Sequence, residues 1–238
     1  MLQLSVHPDH EAVSRHAADW LYQRLEEHPR AICCLASGAT PTRTYELLAQ
    51  RGTADRDAFA EVRLLQLDEW GGLPRHAAAN CESHLRGALV EPLGLSDRFV
   101  GFNSDPADPA AECARVAGWL ERQGPIDVCV LGLGVNGHLG FNEPAEQLQP
   151  HAHVAQLSEA SLAHAMIQSL ANPPAFGLTL GMADLLQSRH VLLLVTGANK
   201  RLPLERLLAG PITTFFPASF LQLHGRVHVM CDVSAYGR

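Results

Sequence analysis

No apolar stretch in this sequence approaches the roughly 20 residues a membrane-spanning helix requires. Residues 1–10 have neither a basic n-region nor an apolar h-region, so a cytoplasmic protein without membrane contact is expected. Basic runs are missing as well. The formal net charge is −7, spread without long runs, which excludes the basic surface that a nucleic-acid backbone demands. An anionic ligand then needs a local cationic site. None of Cys33, Cys34, Cys81, Cys113, Cys129 and Cys231 stands in C-x-x-C spacing, and some lie inside apolar runs, which predicts buried, reduced thiols. Lysine is almost absent: the 18 Lys and Arg residues include a single lysine, Lys200. Either this is chance in a biased composition, or Lys200 marks a place where a compact ammonium serves and a planar guanidinium does not.

What the sequence does have is apolar residues, 47% of 238, enough for a sizeable core. One domain spanning 1–238 is expected. Strand-length apolar runs recur at 31–36, 62–67, 128–133, 191–195 and 227–231. Between them, helical spacing appears at 10–27, 41–50, 107–123, 158–170 and 199–209. The alternation predicts an α/β fold in three layers, a mainly parallel, doubly wound Rossmann-like sheet with helices on both faces. Ligands of such sheets sit beyond the carboxyl ends of the strands, which directs attention to the residues after each run.

After the first run, Ser37, Gly38, Ala39, Thr40 and Pro41 lead into a helix. Small residues let backbone N–H groups approach an anion, and hydroxyls add donors; an ordinary capped helix start reads the same way. Asp68 and Glu69 follow the second run, either a general base at the crevice or a solvated acidic turn. After the third run, Gly132, Gly134 and Gly137 match G-x-G-x-x-G, but His138, Gly140, Asn142, Glu143 and Pro144 follow where a dinucleotide fold needs a helix. Asn136, His138, Asn142 and Glu143 within eight residues fit a proton-handling loop better. The fourth run ends at Thr196, Gly197, Ala198, Asn199 and Lys200, a cation at a helix start that suits a phosphate. The His151/His153 and His224/His228 pairs lack the partners of a metal site.

Taken together, the segments S-G-A-T-P at 37–41, L-D-E-W at 67–70, G-V-N-G-H-L-G-F-N-E-P at 134–144 and G-A-N-K at 197–200 resemble the glucosamine-6-phosphate deaminase family. The likeness covers nearly the whole chain in order. It is nearest in texture to the galactosamine-6-phosphate isomerase/deaminase branch, on residues 67–74, 148–150 and 216–220, and is related to the 6-phosphogluconolactonases, which usually lack F-N-E-P. The resemblance implies isomerisation and deamination of an amino-sugar 6-phosphate, a small-molecule substrate, without metal or organic cofactor. It implies Asp68 as the base between C2 and C1, and His138 as the ring-opening acid, tuned by Glu143 with Asn136 beside it. Ser37, Gly38, Ala39, Thr40 and Lys200 would hold the phosphate. Two departures stand out. Many members have aspartate at the position of Asn136, and residues 158–170 contain no arginine to grip the phosphate, His164 being their one cationic side chain. A lactonase-like hydrolase and a non-catalytic sugar-phosphate sensor are the competing readings; a homo-oligomer is left open.

Overall fold

The structure, a computed structural model, describes residues 2–237. In chain order its elements begin with β1 (Leu2–His7), α1 (His10–Glu27), β2 (Ile32–Leu35), α2 (Ala39–Ala54), β3 (Arg63–Gln66) and β4 (Asp68–Gly71). Next, α3 (Cys81–Leu85) runs through a π turn, Arg86–Val90, into α4 (Glu91–Leu93), followed by β5 (Phe99–Val100) and α5 (Pro109–Gln123). The second half contains β6 (Val128–Gly132), β7 (His153–Ala155), α6 (Glu159–Leu162), β8 (Phe176–Thr179), α7 (Met182–Leu186) and β9 (His190–Val195). A 3-10 turn, Ala198–Lys200, opens α8 (Arg201–Ala209); β10 (Val227–Asp232) and α9 (Val233–Tyr236) come last.

Seven strands form one sheet in the order β1-β10-β9-β6-β2-β3-β5, every pairing parallel. Its two faces are apolar because the central strands β2, β6 and β9 carry no polar side chain except His190 at the start of β9. Ile32 and Cys34 of β2, Cys129 and Leu131 of β6, and Val191, Leu193 and Val195 of β9 join α5 residues Cys113, Val116 and Leu120 in one core. Their neighbours Cys33, Leu35, Val128, Val130, Leu192 and Leu194 turn the other way onto α1 and α2, through Val13, Leu21, Tyr45 and Leu48. That period-two division gives two helical layers around one sheet, the doubly wound arrangement. All six cysteines are buried and free of disulfides. Among the described residues no helix is long and apolar enough to cross a membrane.

The expected strands and four of the five expected helices lie where their apolar spacing puts them, with ends shifted by a few residues. Residues 158–170 differ. The helix there stops at Leu162 and the chain continues in turns. Of 159–163 only Ser161 is buried, so no packed face exists to extend a helix whose nucleation is unfavourable. A second sheet, β4-β8-β7, is antiparallel and does not emerge from the sequence reading. It pairs Asp68 with Thr179 and Trp70 with Gly177, so Asp68 opens a strand of this small sheet directly after β3 rather than trailing free.

Candidate active site

The chain runs outward from β2 to β3 and β5, then returns to place β6 on the other side of β2. At the carboxyl ends of β2 and β6, the topological switch point, lies a cleft of about 540 Å³. Ser37, Gly38, Ala39, Thr40, Asp68, His138 and Lys200 all line it, so four segments far apart in sequence meet around one volume. Asn136 and Glu143 do not line it; they stand behind His138.

Asp68 is fixed by backbone rather than by its own side chain. Gln66 Nε2 donates to the Asp68 carbonyl at 2.8 Å and to Glu69 Oε2 at 2.9 Å. Alternation along β4 sends Asp68 and Trp70 to the cleft and Glu69 the opposite way. There Glu69 accepts from the backbone N–H groups of Trp70, Cys81 and Glu82, each at 2.8 Å, tying β4 to the start of α3. The acidic pair is therefore no solvated turn: Glu69 is fully buried and Asp68 is 9% exposed. One carboxylate oxygen of Asp68, Oδ1, is buried with no hydrogen-bond partner among the described residues. Burial first, and the neighbouring Glu69 second, push its carboxyl up to about 7. A base whose proton affinity matches neutral pH is suited to taking and returning a proton.

His138 owes its position to glycine. A methyl on Gly134 would sit 2.4 Å from the imidazole, and Gly137, at φ +88, would drive one into Phe216. No helix follows Gly137; the chain turns through 139–142 instead, as its Gly and Asn content predicts. The His138 Nδ1 lies 3.4 Å from Glu143 Oε2, at ion-pair distance but outside hydrogen-bond geometry. Asn136 ties the loop backbone to the carboxylate, accepting from the His138 backbone N–H at 3.1 Å and donating to Glu143 Oε2 at 2.9 Å. Ser161 donates to the other oxygen of Glu143. Burial works against the Glu143 charge, yet His138, Ser161 and Asn136 outweigh it and hold the carboxyl at about 2. It is a fixed anion beside the imidazole throughout the neutral range. Ser161 was not legible in the sequence, where a lone serine in a helical pattern carries no signal.

The third wall is cationic and open. Helix α2 starts at Ala39, two residues before the expected start at Pro41, with Gly38 at the N-cap. Thr196 Oγ1 lies 3.4 Å from Thr40 Oγ1, and Asp232 at the end of β10 accepts from the Gly197 N–H, anchoring the loop before Lys200. Lys200 Nζ donates to the Leu133 carbonyl at 2.6 Å and faces no carboxylate in an ion pair among the described residues. Burial lowers its proton affinity from the usual lysine value. Among the described residues no three His, Cys, Asp or Glu side chains gather as a metal would need. His151 instead pairs with Asp184 at 2.9 Å, and His224 bonds the Ser188 carbonyl.

Fold and cleft together define a doubly wound α/β protein whose switch-point cleft gathers a buried carboxyl, an imidazole and an ammonium. Residues 8–229 match the family model of glucosamine-6-phosphate isomerases and 6-phosphogluconolactonase, and the chain belongs to that family of enzymes. The putative deaminase AgaI of Escherichia coli (strain K12) is 41% identical over 217 residues, 91% of this chain and 86% of that protein. A glucosamine-6-phosphate deaminase of Rhodopirellula baltica is 33% identical over 241 residues, 99% and 95% of the two chains. The solved structure of a monomeric glucosamine-6-phosphate deaminase of the NagB superfamily superposes with a TM-score of 0.93 at 31% identity, over 99% of both chains. A 6-phosphogluconolactonase from Trypanosoma brucei shares the fold, at a TM-score of 0.77 and 22% identity.

Proposed function

We propose that this chain, as one domain over 1–238, isomerises and deaminates an amino-sugar 6-phosphate in the cytoplasm. Galactosamine 6-phosphate going to tagatose 6-phosphate and ammonia is the favoured reaction, with glucosamine 6-phosphate next. The observation that carries the reading is a single cleft bearing a buried, unpartnered carboxylate, an imidazole backed by an ionised carboxylate, and an ammonium. Named deaminases among the relatives support the reaction class; the preference for the galacto epimer rests on the texture of residues 67–74, 148–150 and 216–220.

In this reading His138 takes the proton of the C1 hydroxyl and then gives it to the ring oxygen as the bond between C1 and the ring oxygen breaks, opening the sugar. Glu143 stabilises the imidazolium between the two transfers. Asp68 then removes the C2 proton, leaving an enolamine, and returns it to C1, so that the nitrogen at C2 becomes an imine. Water adds at C2 and ammonia leaves, yielding the ketose. Neither step changes oxidation level overall, which agrees with a site that needs no redox group. Ser37 to Thr40 and Lys200 hold the phosphate, remote from the reacting carbons, and its binding energy fixes C1 and C2 over Asp68.

A side-by-side ammonia-release assay on galactosamine 6-phosphate and glucosamine 6-phosphate tests the proposal. Release from at least one, with the matching ketose 6-phosphate formed in equal amount, is expected. Purified protein inert on both, or one that hydrolyses a phosphogluconolactone instead, overturns it.

A further inference from the structure

His164 belongs to none of the groups just used, yet it lines the same cleft. It sits in the turns that replace the expected helix after Leu162, with its side chain open to the cleft. Its Nε2 would lie 3.9 Å from a methyl group placed on Gly38, which sets the ring directly against the loop of Ser37 to Thr40. The other ring nitrogen is occupied: Nδ1 accepts from the Met166 backbone N–H at 3.3 Å. A nitrogen that accepts carries no proton, so the neutral ring carries its hydrogen on Nε2, the atom beside Gly38.

We propose that His164 is a neutral hydrogen-bond donor of the anion cradle, presenting Nε2–H to a phosphate oxygen and leaving Lys200 as the full positive charge there. This inference rests on the hexosamine-phosphate reading for the identity of the ligand, though not for the existence of the anion site.

The surroundings agree on the uncharged state. Facing His164 are His138 from the loop after β6, Lys200 from the 3-10 turn before α8, and His84 from α3. Trp70 of β4 lies with its ring centre 5.9 Å away. Burial, first, and these three basic groups, second, lower the proton affinity of His164, and no carboxylate enters to raise it. Protonating Nδ1 would also cost the bond from Met166. Lys200 approaches the same anion and offsets the field that would otherwise draw a proton onto the ring.

His84 is held as a support beneath the same loop. Thr42 Oγ1 donates its one hydrogen to the Gly38 carbonyl at 2.7 Å, so at 2.7 Å from His84 Nε2 it accepts. The Gly38 turn thus has an imidazole below it, tied through Thr42, and a second imidazole set against it from the cleft side.

The test compares His164→Ala, His164→Gln and the unsubstituted enzyme in two assays. Binding of inorganic phosphate is followed by titration calorimetry, and KM and kcat on the hexosamine 6-phosphate are followed from pH 6 to 8.5. Alanine is expected to weaken phosphate and raise KM about tenfold with kcat within threefold. Glutamine, which keeps an uncharged N–H donor, is expected to restore KM to within threefold, with a ratio to wild type that does not vary with pH. A ratio that changes tenfold across this range would mean that an imidazolium makes the contact, and the proposal fails. It also fails if alanine leaves phosphate binding and KM unchanged while turnover is robust. Weaker phosphate binding in the alanine variant of a protein inert on both sugars would instead sink the deaminase reading and leave this contact standing.

Discussion

Asp68 and Lys200 face one cleft but are held in opposite ways. Asp68 is 9% exposed, on a strand locked by Gln66 and Glu69, and its own oxygen is left without a partner. Lys200 stands at the start of a helix, half open to solvent, steadied by one bond to the Leu133 carbonyl. The floor spends stability to fix a reactive group, since an unpartnered buried carboxylate is costly and persists only where its surroundings over-determine it. The wall leaves its cation for a ligand to complete. On this comparison, substitutions on the floor should reduce kcat and those on the wall should raise KM.

The floor offers the largest effect. Asp68→Asn keeps the shape and removes the base, and ammonia release should fall at least about 1,000-fold with KM little changed. The same variant should be more stable than wild type, and the sign follows from linkage. The folded-state value of about 7 lies above the ordinary 3.8. The contribution of this carboxyl is therefore full below pH 4 and is lost as pH rises through 7. Melting temperatures of variant and wild type should converge below about pH 4 and separate by several degrees at pH 8, asparagine higher. For wild type, kcat/KM should drop on the acid side with an inflection near 7, because protonated Asp68 is no base. A plateau extending unchanged to pH 5 would dissociate the buried carboxyl from the chemistry.

Behind the floor, Glu143→Gln tests whether the imidazole depends on its fixed anion. Its loss should cut kcat about 100-fold and leave KM within threefold, since the carboxylate touches His138, Asn136 and Ser161 rather than the cleft. A rise in KM of the same size as the fall in kcat would make Glu143 part of the binding wall and blur the division.

On the wall, Lys200→Ala should raise KM about tenfold to 100-fold with kcat within about fivefold, as loss of one charge-assisted contact predicts. Lys200→Arg should recover only part of that, because a planar fork cannot occupy the space of an ammonium 2.6 Å from the Leu133 carbonyl. Full recovery would reduce the solitary lysine to an accident of composition.

The two sides were unequally legible in the sequence. The wall and the His138 loop are written in contiguous residues after long apolar runs, so 37–41, 134–144 and 197–200 announce themselves by glycine spacing, hydroxyls and a rare lysine. The floor depends on β4, β7 and β8, strands of three or four residues whose partners lie far apart, as Asp68 and Thr179 do. Such strands carry too few alternations for a period-two signal. Glu69 illustrates the result. As one of two adjacent acids it suited a solvated turn, and only the pairing of β4 with β8 turns it inward onto α3. The segment after Leu162 misled in the other direction, because helical spacing without a packing partner does not make a helix.

Ser161 is the subtlest link between the regions, since its backbone lies in α6, just before the turns that carry His164, while its hydroxyl donates to Glu143. Removing that hydroxyl takes one of three groups that hold the Glu143 carboxyl at about 2, after burial has pushed the other way. Because His138 and Asn136 remain, the carboxyl stays ionised near neutral pH and the imidazole keeps its partner. Ser161→Ala should therefore lower kcat two- to fivefold, much less than Glu143→Gln, and leave the acid inflection set by Asp68 in place. Combining it with Asn136→Ala should exceed the sum of the two losses in free energy, since both donors serve one carboxylate. Strict additivity in that double-variant cycle would mean that the two act on separate steps, and the floor and its backing would no longer be one unit.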